Sequence, residues 1–148
     1  MANVIQPRGF RNNNPLNIRK GSKWKGLSPV QSDKSFCVFS SMRYGVRAAI
    51  YLLLKYYKKY ELHTLYDIIS RWAPQNENDT WNYCKLVAHE LHIPTKYIPT
   101  LDLDLSHDYQ RLLDLIHAMI RVENGKYLFI AWNDFINILE KDIPKSLK

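Results

Sequence analysis

Cysteine, glycine and, at one end of the chain, acid are scarce here, and each scarcity removes a class of protein. The two cysteines, Cys37 and Cys84, lack metal-type spacing, which excludes a cysteine zinc site and a multi-bridge scaffold. They fall in segments that read as buried strand and helix, hence as reduced core cysteines, with a single bridge left open. The five glycines form no phosphate-binding loop, and there is no Gly-x-Ser-x-Gly elbow and no internal repeat. No apolar run reaches membrane-spanning length, since residues 48–54 are flanked at once by lysines and tyrosines. Residues 1–7 have no apolar secretory core, so delivery beyond the cytoplasm would need something other than a signal peptide. No acidic residue precedes Asp33.

Positive charge, by contrast, is plentiful. There are 21 basic and 14 acidic residues, a net charge of +7, which favours an anionic partner: nucleic acid, a membrane surface or an anionic wall polymer. A hydrophobic share of 46% over 148 residues suffices for one packed domain, 1–148, with short tails at 1–7 and 142–148.

Residues 8–31 read as loop and hairpin, because Arg8-Gly9-Phe10-Arg11-Asn12-Asn13-Asn14-Pro15 is dense in turn formers. Asn17-Ile18-Arg19 and Ser35-Phe36-Cys37-Val38-Phe39 are β-prone and predict a small sheet. Ser40 or Ser41 would cap a long central helix over 42–59 that buries Val46, Ala49, Ile50, Leu53, Leu54 and Tyr57. Its far end, with Lys55, Tyr56, Lys58, Lys59 and Tyr60, is either a nucleic-acid patch or a solvated face. Thr64 with Asp67 predicts a capped helix through Trp72, broken at Pro74. Asp79 or Thr80 would cap the next helix, through about residue 91. His89 and His92 near its end have no further clustered ligand, so no metal site is expected. Ser106 or Asp108 would cap a helix running to Glu123, and 130–141 reads as an amphipathic last helix. The fold class is therefore α+β and mostly helical, with one small hairpin near the start.

The helix before Gly125 holds the strongest chemical signal. Leu112, Ile116, Met119 and Ile120 form one apolar stripe, and the next position on it is Glu123. Gly125 supplies the left-handed stop. Desolvation and the negative end of the helix dipole would both favour a protonated carboxyl there, which is what a general acid requires. The bland alternative is a frayed turn, with Glu123 in solvent or paired with Arg121 or Lys126.

Several motifs occur together in one order: residues 8–19, Trp24-x-Gly26, Gln31-x-Asp33, Phe36-x-x-Phe39, Gly45-x-Arg47-Ala48, Trp72-Ala73-Pro74, Glu77-Asn78-Asp79-Thr80, Tyr83 and Glu123-Asn124-Gly125. Together they resemble the phage and prophage family of the muralytic structural protein of enveloped double-stranded-RNA phages, over residues 8–126. The resemblance implies a lysozyme-like fold and cleavage of the MurNAc–GlcNAc strand of peptidoglycan, without a cofactor. A looser similarity links Asn17-Ile18-Arg19 and Trp24-Lys25-Gly26 to the loop that follows the catalytic glutamate in flagellar-type muramidases and glucosaminidases. Thr80 and Tyr83 resemble the later Thr…Tyr pair of those enzymes. Their glutamate helix precedes the loop; here the helix ending at Glu123 would fill that place from the other end of the chain, as a circular permutation. Leu16 departs from the pattern, standing where relatives commonly carry glycine.

On this resemblance the catalytic candidates are Glu123 and Glu77, and the substrate contacts are Asn13, Asn14, Asn17, Trp24, Thr80 and Tyr83. A second carboxylate within ~5–9.5 Å of Glu123 would suit a muramidase. A lone glutamate would suit a lytic transglycosylase, which uses the sugar's own hydroxyl as nucleophile. Glu77 has the alternative of an ion pair with Arg71, Arg47 or Arg19, and Asp79 that of helix capping. The expected partner is the peptidoglycan glycan strand, met from a phage virion or inside an infected or lysogenic cell; neither nucleic acid nor membrane insertion is expected. The rival readings are a non-catalytic virion or wall-binding component and a basic nucleic-acid module, the latter without any recognition-helix, RNP-type or zinc signature.

Overall fold

The computed structural model describes residues 5–73 and 77–148, the side chains of Glu77 and Asn78 excepted. Six α-helices occur among these residues: α1 (Arg8–Arg11), α2 (Met42–Lys58), α3 (Leu65–Trp72), α4 (Glu77–Glu90), α5 (Tyr109–Asn124) and α6 (Trp132–Asp142). Helix α2 packs against α3, α5 and α6, while α4 lies on α3 and α5. The expected inner face of α2 is buried in one continuous core that runs from Leu16 to Leu147. Each fully buried leucine or isoleucine contributes about 1.5–3 kcal/mol. Helix propensity separates ordinary residues by at most about 0.7 kcal/mol. Burial therefore decides that the β-branched Val46 and Ile50 sit in a helix.

Local signals set three helix ends, whereas Ser41 precedes α2 without a side-chain cap hydrogen bond. The Thr64 hydroxyl accepts from the Asp67 amide at 3.2 Å, and the Asp108 carboxylate accepts from the Arg111 amide at 2.9 Å. Gly125, at φ 67°, closes α5 by donating its N–H to the Arg121 carbonyl at 2.8 Å. Helix α4 already begins at Glu77, so Asp79 and Thr80 lie inside its first turn and not at its cap. The expected tail at 142–148 is instead packed: Leu147 is 1% exposed, and its 3-10 turn (Lys145–Leu147) docks on α2. Its apolar side chain finds a site in the core that chain position does not reveal.

The N-terminal segment departs most from expectation. Arg8–Arg11 forms a helical turn where a loop was expected, with the Pro7 carbonyl accepting from the Phe10 and Arg11 amides at 3.0 Å each. The small hairpin is absent among the described residues; only two isolated antiparallel bridges occur, Arg19 with Phe36 and Leu27 with Phe39. Side-chain amides have taken the place of the ladder. Asn14 donates to the Ile18 and Cys37 carbonyls and accepts from the Ile18 amide, at 2.9, 3.0 and 2.9 Å. Gln31 does the same for Ser28 and Val38. The Ile18 and Val38 amides, each with a single proton, are spent on these side chains and cannot donate to a ladder, whereas the carbonyls of the same two residues still accept from the Cys37 and Ser28 amides. Leu16 keeps an ordinary negative φ and is fully buried, while the left-handed positions fall on Asn13 and Asn17. Cys37 and Cys84 are both buried free thiols.

Candidate active site

The stripe on α5 buries Leu112, Ile116, Met119 and Ile120 and thereby fixes the rotation of the last turn. That turn presents Glu123 at the edge of the core, where the residue is half-buried rather than enclosed. Two side chains hold its carboxylate. The Tyr83 hydroxyl, from α4, donates to Oε2 at 2.9 Å, and the Asn17 amide donates to Oε1 at 3.3 Å. Asn17 also reaches the Glu123 carbonyl, at 3.4 Å, and does so from a left-handed backbone at φ 53° that asparagine tolerates. Burial, and then the neighbouring Glu123 charge, push the Tyr83 phenol well above its ordinary value. It remains a neutral O–H donor at any physiological pH.

The next residue ties the two chain ends together. Asn124 donates its amide to the Pro15 carbonyl at 2.8 Å and to the Ile120 carbonyl at 3.0 Å. Gly9 lies so close that an added Cβ would overlap the Asn124 side chain. On the other side, Gly45 brings the α2 backbone against the Asn13 carbonyl with no room for a Cβ. The asparagine loop is thus clamped between α2 and the end of α5.

Glu123 and Asn17 open into a groove of about 750 Å³, within the usual size range for ligand sites. Trp24, Phe36, Tyr56 and Trp72 supply aromatic walls, and Arg8, Arg19 and Lys20 supply positive charge. Arg8 and Arg19 each lie 4.7 Å from the Phe36 ring centroid. Among the described residues Glu123 is the sole carboxylate lining this groove. The side-chain Oδ1 of Asn17 and the Trp24 indole N–H, both on groove-lining residues, are buried without a partner among the described residues.

Three of the expected site residues, Glu123, Asn17 and Trp24, line the groove, and Tyr83 does not line it but reaches Glu123 through its hydroxyl. Three others do not face the groove. Asn14 is fully buried and its amide is spent on the backbone; Asn13 donates to the Phe39 carbonyl at 3.1 Å. Thr80 is 6% exposed, and its hydroxyl donates to the Ala73 carbonyl at 3.4 Å. These three hold the scaffold in place because their polar groups are already satisfied within it. The Glu77 side chain lies outside the described residues. Sequence reasoning missed the clamp made by Gly9 and Asn124 and the groove walls Arg8, Arg19 and Tyr56. The Glu-Asn-Gly motif pointed at Asn124; nothing in the spacing marks Tyr56.

No group of three or more metal-ligating side chains occurs among the described residues, and no helix there is long and apolar enough to cross a membrane. No family model matches the chain. Over 127 residues it is 40% identical to Protein P5 of Pseudoalteromonas phage PM2, covering 80% of this chain and 71% of that protein.

Proposed function

The chain belongs to the family of a phage protein, Protein P5 of Pseudoalteromonas phage PM2, and on that premise we propose that it cleaves the glycan strand of peptidoglycan as a lytic transglycosylase. One observation carries the reading: Glu123, the sole carboxylate lining the aromatic groove among the described residues, is held at its wall by Tyr83 and Asn17. The motif resemblance to the muralytic phage proteins supplies the substrate class. In the first step the Glu123 carboxyl gives its proton to the glycosidic oxygen, and the bond from that oxygen to the MurNAc C1 breaks. In the second step the Glu123 carboxylate takes the proton of the MurNAc C6 hydroxyl as that oxygen closes on C1. The product is a 1,6-anhydro ring, and the carboxyl is regenerated. The Tyr83 hydroxyl both donates and accepts, so it can stay bonded to Glu123 in either protonation state. Trp24 and Trp72 offer faces for sugar stacking. The placement of the Glu123 helix after the Asn17 loop supports the circular-permutation reading.

Turbidity clearing of purified cell walls by the wild type and by Glu123→Gln tests this. The wild type clears and the variant does not, and mass spectrometry finds 1,6-anhydro ends. Equal clearing by both removes Glu123 from the mechanism. Reducing ends in place of anhydro ends make the protein a hydrolase, with a second carboxylate such as Glu77 to be sought. Failure of the wild type to clear leaves a non-catalytic wall-binding or virion component.

A further inference from the structure

Beyond Trp24 lies a second concavity, of about 340 Å³, which shares Ser22, Trp24 and Leu52 with the groove. Lys23, Lys25, Arg47 and Lys55 line it, and no carboxylate does among the described residues. None of these four cations belongs to an ion pair among the described residues. Charges of one sign gathered in a concavity repel one another, and an anion relieves that repulsion. Arg47 distinguishes this place from an ordinary solvated face. Its guanidinium lies 5.7 Å from the Tyr51 ring centroid, and its buried Nε has no hydrogen-bond acceptor among the described residues. A buried donor in that condition gains a full hydrogen bond when an acceptor arrives. Trp24, whose buried indole N–H has no partner among the described residues, lines both concavities, and its ring meets Tyr51 edge-on at 5.5 Å.

We infer that this concavity is an anion subsite that takes the carboxylates of the peptide branches carried by the glycan strand in the adjoining groove. The inference rests on the glycan reading of that groove. Peptide branches leave the strand at its muramic sugars, so a strand in the groove delivers their carboxylates past Trp24 at high effective concentration. Arg47 offers its Nε and guanidinium fork to one carboxylate. Lys23, Lys25 and Lys55 act as point charges around it. The subsite would make the enzyme prefer strands that still bear their peptides.

The test is calorimetric titration of full-length Glu123→Gln protein, which leaves the ligand uncut. The two probes are a soluble muropeptide tetrasaccharide and the same glycan stripped of its peptides. The peptide-bearing glycan binds about tenfold tighter, a preference of roughly 1.4 kcal/mol. Adding Arg47→Gln and Lys55→Gln removes that preference but leaves binding of the stripped glycan unchanged. About 1 M salt, where the Debye length is ~3 Å, weakens it. If the Arg47 variant melts early, Lys23→Gln with Lys25→Gln, on exposed side chains, must reduce the preference instead. Equal binding of the two glycans by the Glu123→Gln protein overturns the subsite and leaves the groove reading intact. Binding of neither overturns both. Tighter binding of a single-stranded oligonucleotide than of the muropeptide assigns the concavity to nucleic acid and overturns the subsite.

Discussion

Tyr83→Phe isolates one atom of the site. The substitution deletes the hydroxyl that donates to Glu123 Oε2 at 2.9 Å and leaves the ring in its packing. Glu123 keeps its bond from Asn17 at 3.3 Å, so the carboxyl stays on the groove wall with one restraint fewer. A hydrogen bond to a charged acceptor contributes about 1.5–3 kcal/mol, which corresponds to a roughly 10- to 150-fold fall in rate if the bond is needed in the transition state. The phenol is held far above its ordinary value, so no ionisation of Tyr83 contributes to the pH profile of the wild type below about pH 10. The assay is initial clearing rate against wall concentration, with a melting curve on the same sample. The expected result is a lowered kcat, a nearly unchanged KM and a melting temperature close to wild type. A variant with full kcat, beside an inactive Glu123→Gln, would refute the positioning role of Tyr83. A kcat that falls only in proportion to lost folded protein would reduce Tyr83 to a structural residue.

Gly45→Ala should lower the melting temperature, because its Cβ would overlap the Asn13 carbonyl and come within 2.9 Å of Pro15 Cδ. Overpacking of this kind costs about 1–3 kcal/mol, more than the ~1 kcal/mol alanine gains in helix propensity, so an unchanged or raised melting temperature would refute it. Asp33 accepts from the Ser35 and Phe36 amides and from the Asn12 side chain, which hold its carboxyl at about 2 against an ordinary 3.8. A depressed folded-state value stabilises above the unfolded-state value and loses that contribution as pH falls toward 2. Asp33→Asn should therefore flatten the fall in stability between about pH 4 and pH 2, as read by acid titration of circular dichroism. Asp108→Ala removes the α5 cap and should cost about 1 kcal/mol in denaturant unfolding, with activity per folded molecule unchanged.

What could be read from the chain was local. Thr64 and Asp108 cap their helices because the hydrogen bond spans three residues and needs no distant partner. The α2 face and the α5 stripe follow from 3.6-residue periodicity, which packing then rewards. The hairpin failed for the opposite reason. Residues 17–19 and 35–39 are β-prone, yet Asn14 and Gln31 claim their carbonyls and amides, and β propensity carries no information about which side chain will intervene. The asparagines divided on the same principle: Asn14 turned inward to satisfy backbone, while Asn17 turned out to Glu123.

The sequence by itself determined that Glu123 closes an apolar helix, that Gly125 stops it there, and that a cationic chain would carry it. Those are properties of neighbours along the chain and of summed charge. Tertiary structure alone decided that Asn17 and Tyr83, 106 and 40 residues away, grip the carboxyl group. It also gathered Lys23, Lys25, Arg47 and Lys55, without an ion pair among the described residues, beyond Trp24 and beside the groove. Such meetings depend on how α1, α2 and α4 seat against the end of α5, through contacts such as Gly9 on Asn124 and Gly45 on Asn13. Close approach of backbones is settled by the packing of the whole core, which no local pattern encodes.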